Sequence, residues 1–135
     1  MKYVILGMSR FSVQLARLLA EQKHTLTVID RNPEAFRRLG KEFPAQYVLG
    51  IGIDESILRK AHIEQADAFI AATDSDATNL MAAQVAKEVF EVKRCIARVH
   101  DESRVELFNS MGLEVICPTL QAATQLALAL REEPA

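Results

Sequence analysis

The chain has no tryptophan, only two cysteines, four prolines and five glycines, and its charges nearly cancel. Sixteen lysines and arginines stand against eighteen aspartates and glutamates, a formal charge of −2. The basic face that nucleic-acid binding demands is therefore missing. No apolar run approaches the roughly 18 to 20 residues of a membrane span, which excludes direct insertion. The amino terminus, Met1-Lys2-Tyr3-Val4, enters a strand pattern at once, without the layout of a signal peptide. Cys95 and Cys117 sit singly inside apolar runs, with neither Cys-x-x-Cys nor metal spacing, and read as small buried hydrophobes. His24, His62 and His100 are scattered through connecting segments without ligand spacing and read as solvated. No Ser-His-Asp order and no pair of carboxylates flanking a cleft can be assembled, so catalysis has no evident carrier. These absences suit a soluble cytoplasmic protein.

What is present is regular. Half of the 135 residues are apolar, enough for the core of one domain. Tyr3–Leu6, Leu26–Ile29, Tyr47–Leu49, Ala68–Ala71, Cys95–Val99 and Val115–Cys117 read as strands. They are rich in β-branched residues and lack alternation, as expected of a parallel sheet covered on both faces. Amphipathic segments lie between them, near 10–22, 33–43, 54–61, 76–90 and 102–111. Asn32 before Pro33 is a helix start, Asp101 is another, and Gly112 stands where a left-handed helix end belongs. Such alternation implies right-handed crossovers and a doubly wound α/β fold over residues 1–118. A last helix over 119–131, with a tail at 132–135, is apolar most of the way round. It wants cover on more than one side, and a partner molecule is the expected source.

Ligands of open α/β sheets bind beyond the carboxyl ends of the strands. Strand one ends in Gly7-Met8-Ser9-Arg10-Phe11-Ser12, the place of a Gly-x-Gly-x-x-Gly loop, but only the turn glycine, Gly7, is kept. Ser9 brings a side chain to where a pyrophosphate passes, and a left-handed backbone there would add roughly 1 kcal/mol of strain. Strand two ends at Asp30, close to the roughly 20-residue offset of a ribose-binding acid. Arg31 beside it suits adenine or phosphate, or plain solvent. Strand three ends in Gly50-Ile51-Gly52, a bend that backbone can bring near a base. Strand four ends in Ala72-Thr73-Asp74-Ser75-Asp76, which offers phosphate donors, a helix cap, or both. Arg98 is a cation within an apolar strand and needs an anion, either Asp74 or a ligand phosphate. Arg10, in the first turn of helix one, is a second phosphate candidate.

The order and spacing of several stretches resemble the RCK domain family, also called KTN or TrkA-N. These are Tyr3-Val4-Ile5-Leu6-Gly7 with Arg10, Leu15–Leu19, Val28-Ile29-Asp30-Arg31, Gly50, Ala66–Asp74, Asn79-Leu80, Ile96–Val99 and Val115–Pro118. The similarity runs from Met1 to about Leu130. It implies a Rossmann-like doubly wound parallel six-stranded sheet with a C-terminal crossover helix that dimerises. It also implies a cytosolic regulatory domain of potassium channels and transporters that binds an adenine nucleotide: AMP, ADP, ATP or NAD(H). Homodimers, or larger rings, would act on a membrane subunit from the inner face. Carried over by position, Gly7, Met8, Ser9, Arg10 and Phe11 form the phosphate loop and Asp30 and Arg31 the ribose end. Gly50 and Ile51 lie on the adenine side, with Thr73, Asp74 and Arg98 near the phosphates.

Three departures stand out: Ser9 and Ser12 for loop glycines, and Ile51 where the family commonly has aspartate. The lost glycines favour a mononucleotide over NAD. No second, C-terminal ligand-binding subdomain is present in this sequence, so it is a stand-alone nucleotide half or a piece of a longer chain. The leading expectation is a ligand-sensing regulatory module. Two alternatives stay open. One is a scaffold that has lost its nucleotide, and the other is an NAD-dependent oxidoreductase lacking its substrate domain.

Overall fold

The computed structural model describes residues 1–131; the tail expected at 132–135 lies outside them. Six parallel strands form one sheet in the order β3-β2-β1-β4-β5-β6. They are β1 (Lys2–Leu6), β2 (Thr25–Asp30), β3 (Gln46–Leu49), β4 (Ala68–Ala71), β5 (Arg94–Arg98) and β6 (Glu114–Ile116). The helices are α1 (Arg10–Glu21), α2 (Glu55–Lys60), α3 (Asp76–Glu88), α4 (Val105–Ser110) and α5 (Pro118–Arg131).

Alternate residues of the central strands feed two separate cores. Val4 and Leu6 of β1 join Phe69, Ala71, Ala82 and Phe108 on one side of the sheet. Ile5 joins Val13, Ala16, Val28 and Ile70 on the other, against α1. Burial on both faces is what the unbroken apolar strands require. Cys95 and Cys117 are free and buried, and burial pushes the Cys95 thiol up to about 11. Both act as packing groups.

The segment expected to be helical over 33–43 is a 3-10 turn over Pro33–Leu39. Asn32 starts it by accepting the Glu34 amide, and Gly40, at φ +93°, stops it. Only Ala35 and Leu39 of this stretch are buried, too little apolar contact to hold a longer helix. The 102–111 segment likewise begins as a 3-10 turn, Glu102–Arg104, capped by Asp101, before α4. Gly112 has φ +81°, the left-handed end that its position suggests.

Register places the strand ends side by side. Leu6 is level with Ile29 and with Ala71, and Ala71 is level with Ala97. One residue further on, Gly7, Asp30, Ala72 and Arg98 therefore lie across a single edge of the sheet.

Candidate functional site

An open cleft of about 580 Å³ occupies that edge. This lies within the roughly 300–1,000 Å³ of small-molecule sites. Gly7, Met8, Ser9, Asp30, Arg31, Gly50, Ile51, Thr73 and Asp74 line it. Arg10, Phe11 and Arg98 do not, although Arg98 touches two of the loop residues. Asn32, Arg38, Gly52, Ile53, Ser75 and Thr78 line the cleft as well.

The floor is the β1–α1 turn. Gly7 has φ +93°, and a Cβ there would lie 2.8 Å from the Ala72 carbonyl oxygen. Both the turn and the close approach of β4 thus require glycine. Asp30, the last residue of β2, clamps this turn. Its Oδ2 accepts the Met8 amide at 2.9 Å and its Oδ1 accepts the Asn32 amide at 2.9 Å. Arg38 holds the same loop from the far side by donating to the Met8 carbonyl at 2.8 Å.

Ser9 does not adopt the left-handed backbone that would strain it. With φ −79° and ψ 176° it is extended and serves as the N-cap of α1, its hydroxyl accepting the Ser12 amide. A serine is a natural cap, so what is a loss for a glycine fingerprint is a gain for the helix start. Ser12 is fully buried beneath it, its hydroxyl 3.4 Å from that of Ser9.

Arg98 does not pair with Asp74. Its Nη1 donates to the Ser9 hydroxyl at 3.3 Å, its guanidinium carbon lies 5.0 Å from the centre of the Phe11 ring, and its Nε is buried without a partner. Asp74 instead stands exposed at the cleft wall, where Ser75 caps α3 by accepting the Thr78 amide. Chain direction explains this: the β4–α3 loop is committed to starting its helix, leaving Asp74 turned to solvent.

Two groups were not assigned a role from sequence. Asn79, wholly buried in α3, accepts the Thr73 amide and hydroxyl and donates to the carbonyls of Thr73 and Arg98. It ties the β4 loop to the end of β5. Asp76, also buried, accepts the His100 amide at 2.8 Å, the His100 imidazole at 2.9 Å and the Asp101 amide at 3.2 Å. Burial alone would raise its pKa. The hydrogen bonds from His100 and Asp101 outweigh that and hold the carboxyl below its ordinary value. His100 is therefore an engaged side chain and not the solvated one expected. An acid at the first position of a predicted helix was the available signal, but it reads equally as a dipole complement. Arg38 gave no signal, since it looked like the polar face of a longer helix.

Among the described residues no cluster of metal-ligating side chains is present, and no helix is long and apolar enough to cross a membrane.

A parallel sheet in 3-2-1-4-5-6 order, with its cleft at the point where strand order reverses, defines a Rossmann-like domain. The TrkA-N domain profile matches residues 3–118, and the chain belongs to that family. The Trk system potassium uptake protein TrkA of Streptomyces coelicolor is 42% identical over 126 residues, covering 93% of this chain and 56% of that protein. The chain thus spans about half the length of this relative. The TrkA-N domain of the inner membrane protein ybaL from Escherichia coli superimposes with a TM-score of 0.85 at 22% identity, covering 96% of each chain. The Shewanella denitrificans Kef C-terminal domain, in its AMP-bound form, gives 0.84 at 21% identity over 98% of this chain and 83% of that one. The GsuK channel bound to NAD gives 0.73 at 22% identity over 85% of this chain and 21% of that one.

Proposed function

We propose that this domain senses an adenine nucleotide for a potassium uptake system and passes the signal on as a change in its assembly. The observation that carries the reading is the cleft at the switch point. Gly7 and its turn, Asp30, and Thr73 to Ser75 form its walls. Similarity to a potassium uptake protein and to domains solved with AMP and NAD supports it. In this reading Asp30 accepts from the ribose hydroxyls while keeping the Met8 amide. Gly50 and Ile51 face the base, with Arg31 at its edge. Thr73 and Asp74 lie beside the phosphates, and Arg10 and Arg98 reach toward them from outside the lining of the cleft. The domain performs no chemistry on its ligand. It works in the cytoplasm as a homodimer or larger ring joined through α5, docked on a membrane subunit. Coupling of this kind is typically worth about 1–3 kcal/mol.

Thermal unfolding with AMP, ADP, ATP, NAD and NADH in turn tests this. A ligand that binds only the folded state adds about 2.7 kcal/mol at a hundredfold excess over its dissociation constant. A raised midpoint with at least one nucleotide is expected. Asp30→Ala should weaken that binding by about 1–3 kcal/mol, the scale of a lost charged hydrogen bond. A flat response to all five nucleotides rejects the sensor reading and leaves a nucleotide-free scaffold.

A further inference from the structure

The cleft spans the switch point between β1 and β4 but stops at the start of α3, short of the ends of β5 and β6. Its wall runs from Gly50–Ile53 through the β1–α1 turn to Thr73–Ser75, and among the described residues none after Thr78 lines it. A dinucleotide lies across both halves of such a sheet, its pyrophosphate passing the second residue of the glycine loop. At that place this chain has a side chain, and the side chain is held. The Ser9 hydroxyl caps α1 and receives Arg98 from the end of β5. The Ser9–Arg98 contact therefore joins α1 to β5 where the second half of a dinucleotide would have to go.

Arg98 is also short of acceptors. Its one hydrogen bond, at 3.3 Å, is to a neutral hydroxyl, and its Nε is buried with none. A guanidinium in that state gains most from a nearby anion of high charge. A terminal phosphate monoester carries close to two charges at neutral pH. The bridging phosphates of a dinucleotide carry one each and must leave room for the group beyond.

Resting on the reading of this cleft as an adenine-nucleotide site, we propose that Ser9 and Arg98 restrict it to nucleotides that end in a phosphate monoester and turn dinucleotides away. Ser9 is the steric stop. Arg98 lies outside the lining of the cleft, one hydrogen bond behind Ser9, and is the charge that a terminal phosphate seated against Ser9 would draw on.

The test is calorimetric titration of the full chain with AMP, ADP, ADP-ribose and NAD. ADP and ADP-ribose are the decisive pair, because they share every atom up to the second phosphate and differ only in the ribose attached beyond it. ADP is expected to bind roughly tenfold or more tighter than ADP-ribose and NAD, the discrimination a steric stop provides. Ser9→Gly keeps an acceptable helix cap, so it folds, and it should bring ADP-ribose to within about threefold of ADP. Arg98→Gln should weaken ADP by about tenfold to a hundredfold and ADP-ribose by less.

Equal affinity of the wild type for ADP and ADP-ribose, or an unchanged ratio in Ser9→Gly, overturns the proposal. If NAD binds as tightly as ADP and Asp30→Ala weakens both, the sensor reading stands and only this inference fails. Absence of binding by all four ligands overturns both.

Discussion

Asp76 shows how a single side chain can hold together two strand ends that the cleft depends on. It is buried at the start of α3 and receives three hydrogen bonds from His100 and Asp101, with Arg104 3.7 Å away. Replacing it with alanine leaves two amides and an imidazole without their acceptor and removes a favourable charge from a helix start. Asp76→Ala should lose about 2–4 kcal/mol of unfolding free energy in urea at neutral pH. The same residue sets a pH dependence. Its pKa in the folded state lies below the ordinary value of 3.8, so its contribution is complete above that value. It is lost as pH falls through the lower, folded value, because the unfolded chain takes up the proton first. Stability of the native chain should therefore fall as pH drops below about 4, and the fall should be shallower in Asp76→Ala. Identical acid limbs for the two proteins would remove Asp76 from this role. The sequence marked this residue only as an acid at a helix start, since its partners arrive from the end of another strand. Asp30, by contrast, was singled out by its offset from Gly7. Its hold on the Met8 and Asn32 amides was not legible, because it depends on how the β1–α1 turn packs against the end of β2.

At the scale of elements, strands and helix starts were readable and the connecting segments were not. Six apolar runs rich in Val, Ile and Leu read as strands, and each is found within a residue or two of its expected bounds. Strands β1, β2 and β4 are covered on both faces as expected. The edge strand β3 leaves Tyr47 and Leu49 exposed, because no further strand lies beyond it. Asn32 and Asp101 accept amides within their own turns, which is a purely local matter. The stretch after Pro33 was hard to read for the opposite reason: its length depends on how much of it meets the sheet, and only Ala35 and Leu39 are buried. That shortfall also hid Arg38, which folds back on the β1–α1 turn. Ser9 looks like a deficiency only when the loop is held to a glycine motif. In the structure it is a competent helix start. The β1–α1 turn itself remains dependent on its one glycine. In Gly7→Ala, a methyl would meet the Ala72 carbonyl at 2.8 Å on a backbone with φ +93°. Strain and overlap together should cost about 2–4 kcal/mol, seen as a lowered urea midpoint with unchanged slope. A loss within about 0.5 kcal/mol, the usual scale of a surface change, would mean that the turn relaxes freely and that the cleft floor is not rigid.

For the molecule as a whole, α5 is the element that the domain's own packing does not explain. Every residue from Thr119 to Arg131 is exposed, although the helix carries four leucines. Leu126 and Leu130, 62% and 60% exposed, share one face at i and i+4, while Leu128 points the other way. A helix this short and this apolar is marginal in water without tertiary contacts, so its persistence calls for cover from outside the domain. In the proposed homodimer that cover is the second copy. The two cores on either side of the sheet are closed without α5, and this separates folding from assembly. Leu126→Ser with Leu130→Ser should therefore leave the urea unfolding of the monomeric domain within about 0.5 kcal/mol, the usual scale of surface changes. The same pair should shift sedimentation equilibrium from dimer toward monomer by at least about tenfold in dissociation constant, about 1.4 kcal/mol. Because dimer and folded domain are linked by mass action, the wild-type midpoint should also rise with protein concentration, and that of the double variant should not. A double variant that dimerises like the wild type would place the assembly surface elsewhere on the domain. One that fails to fold would show that α5 belongs to the core after all.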